Sequence, residues 1–255
     1  MKNVPFLVLS MVVAVALVGC TDKPKTTEAG GKTDTPVGTT PAAAPAPKVP
    51  DALKTDGYYY YGLDNTKPLT YTYTDGTSKP ADGVQTVQLK GVDKDANFTI
   101  SRTGALTNMG DEDLLVKSDG VYLTRSSWGP VEPAMLSFPS KATEGYSWKT
   151  SSKMKGEDDR AVTLEGTWTI GKPEKITVAA GTFDTVTMTG VGTMSVEELP
   201  NDKASTKTPP AAPIKHPLLA QGWFSKELGE VKLVVKSKDA KGQDKTLVVE
   251  LKKVG

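Results

Sequence analysis

Two of the residue types that most often do chemistry occur once each in this chain, as Cys20 and His216. A catalytic thiol or imidazole needs a partner group within reach of its side chain. His216 lies between Lys215 and Pro217, and no carboxylate or serine stands beside it in the sequence. One cysteine and one histidine cannot supply the usual ligands of zinc. We therefore predict no catalytic residue and no zinc site.

Asp93, Asp95 and Asn97 have the spacing with which a calcium-binding loop begins. The next position, where the glycine of the sharp turn should stand, is Phe98, and Gly104 replaces the bidentate glutamate. We therefore predict a turn that leads into a strand, and no metal. The sequence also has no glycine-rich phosphate loop and no nucleophile elbow, so no cofactor is expected.

Cys20 follows the basic residue Lys2 and an apolar run over residues 4–17. The run is shorter than the roughly 20 residues of a membrane-spanning helix and is typical of a secretory signal. Leu17-Val18-Gly19-Cys20 resembles the lipobox of bacterial lipoprotein precursors. The resemblance implies that residues 1–19 are removed as a signal peptide and that acyl lipid such as palmitate is attached to the Cys20 sulfur. The alternative is an ordinary secreted protein with an incidental cysteine.

The charge of the mature chain is balanced. Removing residues 1–19 removes Lys2 and leaves 30 basic and 30 acidic side chains. A nucleic-acid binder normally carries a basic excess, so we predict that the protein does not bind nucleic acid. The predicted partner is a membrane, which the protein contacts through lipidated Cys20. Thr21, rather than an aspartate, follows Cys20, and this arrangement resembles the outer-membrane sorting signal of enterobacterial lipoproteins. We predict a cell-envelope protein, on the periplasmic face of the outer membrane if the source is Gram-negative.

Residues 20–50 are predicted to be a lipid anchor and a disordered tether. The segment is rich in threonine, proline, alanine, glycine and lysine and has almost no large apolar side chains. Such a segment cannot bury enough apolar surface to offset the entropy of ordering it. The alternating stretch Ala42–Pro47 favours the extended polyproline II conformation.

Residues 51–255 are predicted to form a single β-rich domain. Apolar and polar residues alternate with a period of two over residues 69–74, 162–170, 186–196 and 247–251. This alternation is typical of strands with one face on a core and one face in water. Turn residues separate the runs, so the predicted fold is an all-β antiparallel meander of hairpins.

Gly166, Gly190 and Gly192 lie on the apolar face of the predicted strands. Glycine within a strand often marks a bend or a close approach of another group. We therefore predict a strongly curved antiparallel sheet, as a half-barrel or an incomplete barrel.

The concave face of that sheet would include Trp168, Met188 and Met194. One interpretation is a groove for a hydrophobic ligand, in which methionine provides an adaptable lining. The other is an ordinary packed core. A proline-rich loop is predicted at about residues 197–219, because five prolines interrupt the strand pattern there. The loop is either a flexible excursion between two hairpins or a lid whose apolar end, with Ile214, Leu218 and Leu219, lies across the open end of the sheet. We predict disorder over residues 200–212 and packing of residues 214–219.

Four motifs resemble those of a large group of uncharacterised exported bacterial proteins and lipoproteins. They are Leu136–Pro139 with Gly145–Trp148, Ile176–Val186, Trp223–Phe224 with Gly229–Lys232, and Leu247–Lys253. In that group an apolar residue usually stands at the position of Glu230, and a proline at that of Ala179. The resemblance implies an exported, β-rich fold that is distantly similar to lipoprotein carriers such as LolA. It carries over no catalytic residue.

Two classes of function follow from the sequence. The first is a non-enzymatic envelope protein that binds a hydrophobic ligand or a protein partner. The second is a structural or assembly accessory that acts through its surface and has no ligand pocket. An apolar cavity of about 300 Å³ or more would favour the first class.

Overall fold

The computed structural model of the chain describes residues 47–155, 161–197, 213–238 and 242–255. Cys20, the predicted signal peptide and the predicted tether up to residue 46 lie outside the described residues. Two short 3₁₀ helices (Asp51–Leu53 and Ala105–Met109) and one helix, α1 (Asp56–Tyr60), accompany the strands. The described part of the chain contains twelve strands: β1 (Leu69–Thr74), β2 (Ala81–Val92), β3 (Ala96–Gly104), β4 (Glu112–Lys117), β5 (Gly120–Ser126), β6 (Gly129–Pro139), β7 (Ser147–Lys155), β8 (Ala161–Val178), β9 (Gly181–Val196), β10 (Ile214–Ser225), β11 (Gly229–Lys238) and β12 (Asp244–Val254).

The strands form one closed antiparallel barrel. Each strand pairs with the next one along the chain, and β1 pairs with β12, with Leu69 opposite Val254 and Tyr71 opposite Leu251. The predicted all-β, strongly curved antiparallel sheet is therefore confirmed. The curvature is strong enough that the first and last strands meet, so the sheet closes completely.

Alternation along the strands places the core inside the barrel. In β11, Val231, Leu233 and Val235 are at most 1% exposed, whereas Lys232 is half-buried and Lys236 exposed. The inward apolar side chains of eleven strands belong to one continuous cluster, and Val87, Leu89 and Val92 of β2 pack against it. Burial of this cluster is the main source of stability, because each fully buried large apolar side chain contributes roughly 1.5–3 kcal/mol.

Short helices close the barrel. The segment before β1 covers one end, which we call the plugged end, and there Tyr58 is buried with its ring edge-on to Phe98 at 6.0 Å. Gly57 allows the helix to approach β6, because a Cβ at this position would lie 2.6 Å from the carbonyl oxygen of Pro139. The second 3₁₀ helix packs against β1, β2 and β3 and contributes Leu106 and Met109, each 1% exposed, to the core.

The pairing of β6 with β7 is the least regular contact in the barrel. Two residue pairs are in register, Val131 with Met154 and Glu132 with Lys153. Beyond them, side chains bond to the carbonyl oxygens of β6: Ser152 Oγ donates to Pro133 O at 3.0 Å, and Trp148 Nε1 donates to Leu136 O at 3.0 Å. We call this contact the β6–β7 seam.

The end of the predicted proline-rich loop is a strand. Residues 214–219 belong to β10 and pair with β9, with Ile214 opposite Val196 and Leu219 opposite Val191. The lid alternative is therefore wrong, because these residues continue the barrel wall. Residues 198–212 lie outside the described residues.

Candidate functional site

The three residues predicted to line a hydrophobic groove lie inside the barrel. Trp168, Met188 and Met194 are 3%, 0% and 3% exposed. The six-membered part of the Trp168 ring fills the space above Gly190, where a Cβ atom would collide with it. The glycine therefore permits a close approach, as its position in the strand predicted. These surroundings are those of a packed core, and ligand binding by the three residues stays a prediction.

The other sequence candidates form no constellation in the described part of the chain. His216 lies on β10, with Nδ1 3.2 Å from the carbonyl oxygen of Lys238. Asp93 and Asp95 form a turn in which the amide of Asp93 donates to the carbonyl oxygen of Asp95 at 2.9 Å. Within the described ranges, no group of three or more histidine, cysteine, aspartate or glutamate side chains could hold a metal ion. No helix in those ranges is long and apolar enough to cross a membrane.

A group of polar side chains lies inside the barrel between the two helical closures. We call it the polar cluster, and its members line a small cavity of about 20 Å³ together with Ile100 and Phe224. The members are Tyr61, Gln85, Arg102, Glu112 and Glu230. A cavity of this size has room for about one water molecule.

Arg102 is the centre of the polar cluster. Its side chain is 4% exposed, and Nη1 lies 3.2 Å from Oε1 of Glu112, whose side chain is 1% exposed. The guanidinium also donates to Gln85 Oε1 at 3.1 Å and to the carbonyl oxygen of Gly110 at 2.7 Å. Arg102 therefore ties β2, β3 and β4 together, because a buried charge is tolerated only when it is paired and hydrogen-bonded.

A β-bulge brings Glu230 into this group. Trp223 pairs with Lys232 but Phe224 pairs with Glu230, so Val231 is an extra residue on β11. Such a bulge re-aims the neighbouring side chains, and Glu230 lines the cavity beside Arg102. The hydroxyl of Tyr71 donates to the carbonyl oxygen of Glu230 at 2.8 Å and fixes the backbone there.

Burial raises the pKa of Glu230 to about 7; the positive charge of Arg102 opposes this rise, and the negative charge of Glu112 adds to it. Burial also raises the pKa values of Tyr61 and Tyr71 far above their ordinary value. One guanidinium thus faces two carboxyl groups around the small cavity.

We expect Glu230→Gln to remove a pH dependence of folding stability. In the unfolded chain the pKa of a glutamate is about 4.3, so between this value and about 7 the folded state keeps a proton that the unfolded state has released. The unfolding free energy of the native chain therefore falls as pH rises through this window, whereas that of the glutamine variant does not. The unfolding free energy of the variant minus that of the native chain should be about 2–3 kcal/mol larger at pH 8 than at pH 4. Urea unfolding at both pH values measures the difference.

Glu165→Gln is the matched control for that experiment, because Glu165 is exposed on the outer face of β8. Its unfolding free energy should follow the same pH profile as that of the native chain. An unchanged profile in Glu230→Gln would contradict the expected effect.

An open groove lies on the outside of the barrel at the plugged end. This end groove has a volume of about 640 Å³. It is lined by Tyr59, Asp64, Asn65, Thr66, Lys67, Lys226, Glu227, Leu228 and Val254. The groove thus lies between the segment that follows α1, the turn between β10 and β11, and the end of β12.

Ion pairs and ring contacts hold the walls of the end groove in place. Lys226 Nζ lies 2.8 Å from Oδ1 of Asp56 and 5.3 Å from the ring centre of Tyr60. The other carboxylate oxygen of Asp56 accepts the amide of Ala142 at 3.1 Å. On the opposite wall the hydroxyl of Tyr58 donates to Asp64 Oδ1 at 3.2 Å. The side chains of α1 therefore fix both walls of the groove.

Two features of the sequence point to the polar cluster. Arg102 continues the inward series Ala96, Phe98 and Ile100 of β3, so a charge stands at a core position of an alternating pattern. Glu230 stands where the resembling proteins usually have an apolar residue. The end groove had no comparable signal, because its residues come from three separate parts of the chain.

No protein-family model matches the chain, and no curated protein matches it. Solved structures of similar fold include a candidate lipoprotein from Parabacteroides distasonis, with 14% identity over 77% of this chain and 98% of that chain and a TM-score of 0.46. A candidate exported protein with a YmcC-like fold from Bacteroides fragilis has 11% identity, the same two coverages and a TM-score of 0.46. The hypothetical lipoprotein YmcC from Escherichia coli has 10% identity over 80% of this chain and 90% of that chain and a TM-score of 0.33. These likenesses are too distant to carry an argument about function.

Proposed function

We propose that this chain is a lipid-anchored cell-envelope protein whose non-enzymatic barrel binds its ligand or partner in the end groove. The observation that carries the proposal is the groove of about 640 Å³ at the plugged end. By contrast, Trp168, Met188 and Met194 are buried among other core side chains. A ligand therefore meets a ready-made opening at the plugged end, whereas inside the barrel it would have to displace packed side chains.

The position of the groove supports this function, because the chain that follows the predicted tether enters the barrel at the same end. Val49 packs partly against the core, Leu53 is buried, and the amide of Asp56 donates to the carbonyl oxygen of Ser140 at 3.0 Å. The predicted tether spans residues 20–50, and a flexible coil of about 30 residues has an end-to-end distance of roughly 30 Å. With Cys20 in a membrane, the groove would thus operate within a few tens of ångströms of the lipid surface.

Cys20→Ser tests the anchor. Without the thiol no lipid can be attached, so we expect the protein to leave the membrane fraction completely or to remain as an uncleaved precursor. Membrane fractionation followed by intact mass measurement distinguishes the two results. Thr21→Ser, at the next position, should keep both the anchor and the lipid mass. Processed Cys20→Ser protein that still sediments with membranes would contradict the proposal.

Binding in the envelope is tested by lipid extraction and mass spectrometry of the purified native chain. A co-purified molecule that is lost when Tyr59 and Leu228 are both replaced by alanine supports the end groove as its site. A molecule that is retained by this variant and lost in Trp168→Phe would place binding inside the barrel instead.

A structural or assembly accessory is the second candidate function. The packed interior favours it, because 37 buried apolar residues of the described ranges form one cluster across the barrel. Such a protein would act through its outer surface, and alanine substitutions in the end groove would leave its cellular role unchanged.

A further inference from the structure

The end groove contains a hydrogen-bond donor without an acceptor. The backbone amide of Lys67 donates to Asn65 Oδ1 at 3.0 Å, and this bond fixes which end of the side-chain amide is the oxygen. The other end, Nδ2, is buried and has no hydrogen-bond partner among the described residues. Because an unsatisfied buried donor is unfavourable, the groove calls for an acceptor oxygen beside Asn65.

Two charged side chains of the groove are free to meet a ligand. Lys226 is held by Asp56, and Asp64 accepts the hydroxyl of Tyr58. Lys67 and Glu227 are both exposed and have no ion-pair partner within the part of the chain that the structure describes. The groove therefore presents the positive charge of Lys67 and the negative charges of Glu227 and Asp64, since a hydrogen bond from the neutral Tyr58 hydroxyl does not cancel the charge of the Asp64 carboxylate.

Apolar surface completes the groove. Tyr59, Leu228 and Val254 line it, and each is half-buried. Their side chains provide an area that suits a short carbon segment rather than a second charge. A purely anionic ligand would be repelled by Glu227, and a purely cationic one by Lys67.

We infer that the end groove binds a zwitterionic group that carries anionic oxygens and a primary ammonium, as phosphoethanolamine does. The anionic oxygens accept from Lys67 and Asn65 Nδ2, and the ammonium donates to Glu227. This inference rests on the proposed function, which places the groove near a lipid surface. The group then has two sources, the headgroup of a phosphatidylethanolamine lipid and free phosphoethanolamine.

The test uses the chain from residue 20 onward with Cys20→Ser, so that no anchor contributes to binding. Flotation is measured with vesicles of phosphatidylcholine alone and with vesicles containing equal amounts of phosphatidylcholine and phosphatidylethanolamine. Free phosphoethanolamine is titrated by calorimetry. If the protein binds the mixed vesicles and free phosphoethanolamine competes with this binding, the ligand is the lipid headgroup. Binding of the free compound without flotation identifies the soluble source.

Lys67→Ala and Glu227→Ala should each weaken the binding about tenfold or more, since each removes a charge-assisted hydrogen bond. Lys236→Ala and Glu165→Ala, both exposed on the outer barrel wall, should bind like the parent chain. Equal thermal midpoints show that all four variants are folded.

The inference would be overturned if Lys67→Ala and Glu227→Ala bound as tightly as the parent chain. Equal flotation with phosphatidylcholine alone would also overturn it, because choline has no ammonium hydrogen to donate to Glu227. A third outcome is that neither phosphatidylethanolamine vesicles nor free phosphoethanolamine bind, while lipid extraction finds another ligand that is lost when Tyr59 and Leu228 are replaced. In that case the zwitterionic group is the wrong ligand, and the proposed function stands.

Discussion

Arg102→Leu is expected to destabilise the barrel by about 3–5 kcal/mol, since removing one partner of a buried ion pair leaves an uncompensated charge. Glu112 would keep its place in the core, 1% exposed, without the guanidinium now 3.2 Å from its carboxylate. The bonds to Gln85 and to the carbonyl oxygen of Gly110 would be lost as well. The free energy of unfolding in urea, followed by tryptophan fluorescence, measures the effect.

Arg125→Leu is the matched control, because Arg125 is exposed on β5 and its replacement should change the unfolding free energy by less than about 0.5 kcal/mol. The double variant Arg102→Leu/Glu112→Leu should recover much of the lost stability, since an apolar pair often replaces a buried ion pair without loss. A single variant as stable as the native chain would show that the ion pair is not needed in the barrel.

Truncation after Leu219 is expected to abolish cooperative unfolding altogether. It removes the second half of β10 and all of β11 and β12, and with β12 the pairing that closes the barrel on β1. Leu247, Val249 and Leu251 are at most 2% exposed, and their loss would open the core to water along β1. Thermal unfolding, monitored by circular dichroism and tryptophan fluorescence, is the measurement.

Excision of residues 202–212 is the control for the truncation. The strand ends on either side of this segment already face each other, with Val196 opposite Ile214, and a hairpin needs only a few residues to connect paired strands. The shortened chain should unfold cooperatively near the native midpoint. A cooperative transition in the truncated chain would show that residues 51–219 fold without the last strands, and that the single-domain prediction is wrong.

Period-two patterns made most of the barrel wall predictable. The alternation over residues 162–170 and 247–251 indicates strands with one buried face, and the structure has these strands as β8 and β12. Complete closure was not predictable, since it depends on the summed curvature of twelve strands, which no local pattern specifies. The resemblance to lipoprotein carriers and the organisation of residues 1–50 stay predictions.

The candidate sites were less predictable than the fold. Trp168 was found because a large aromatic residue on an apolar face is visible in sequence, but its burial over Gly190 depends on how β8 and β9 meet. Glu230 is two residues from the outward-facing Lys232, so in a regular strand it would also face outward. Its place beside Arg102 depends on the bulge at Val231. The end groove joins Asn65, Lys67 and Glu227, which only the folded chain brings together.

The β6–β7 seam has a consequence for how copies of this chain behave toward one another. A closed barrel has no free strand edge, but a poorly paired seam is a place where another extended chain could add by hydrogen bonding, as in the early steps of aggregation. Pro130, Pro133 and Pro139 lie on the β6 side and have no amide to donate. The carbonyl oxygens of Pro133 and Leu136 already accept from Ser152 and Trp148. The seam is thus blocked against intermolecular strand addition by residues of the barrel itself.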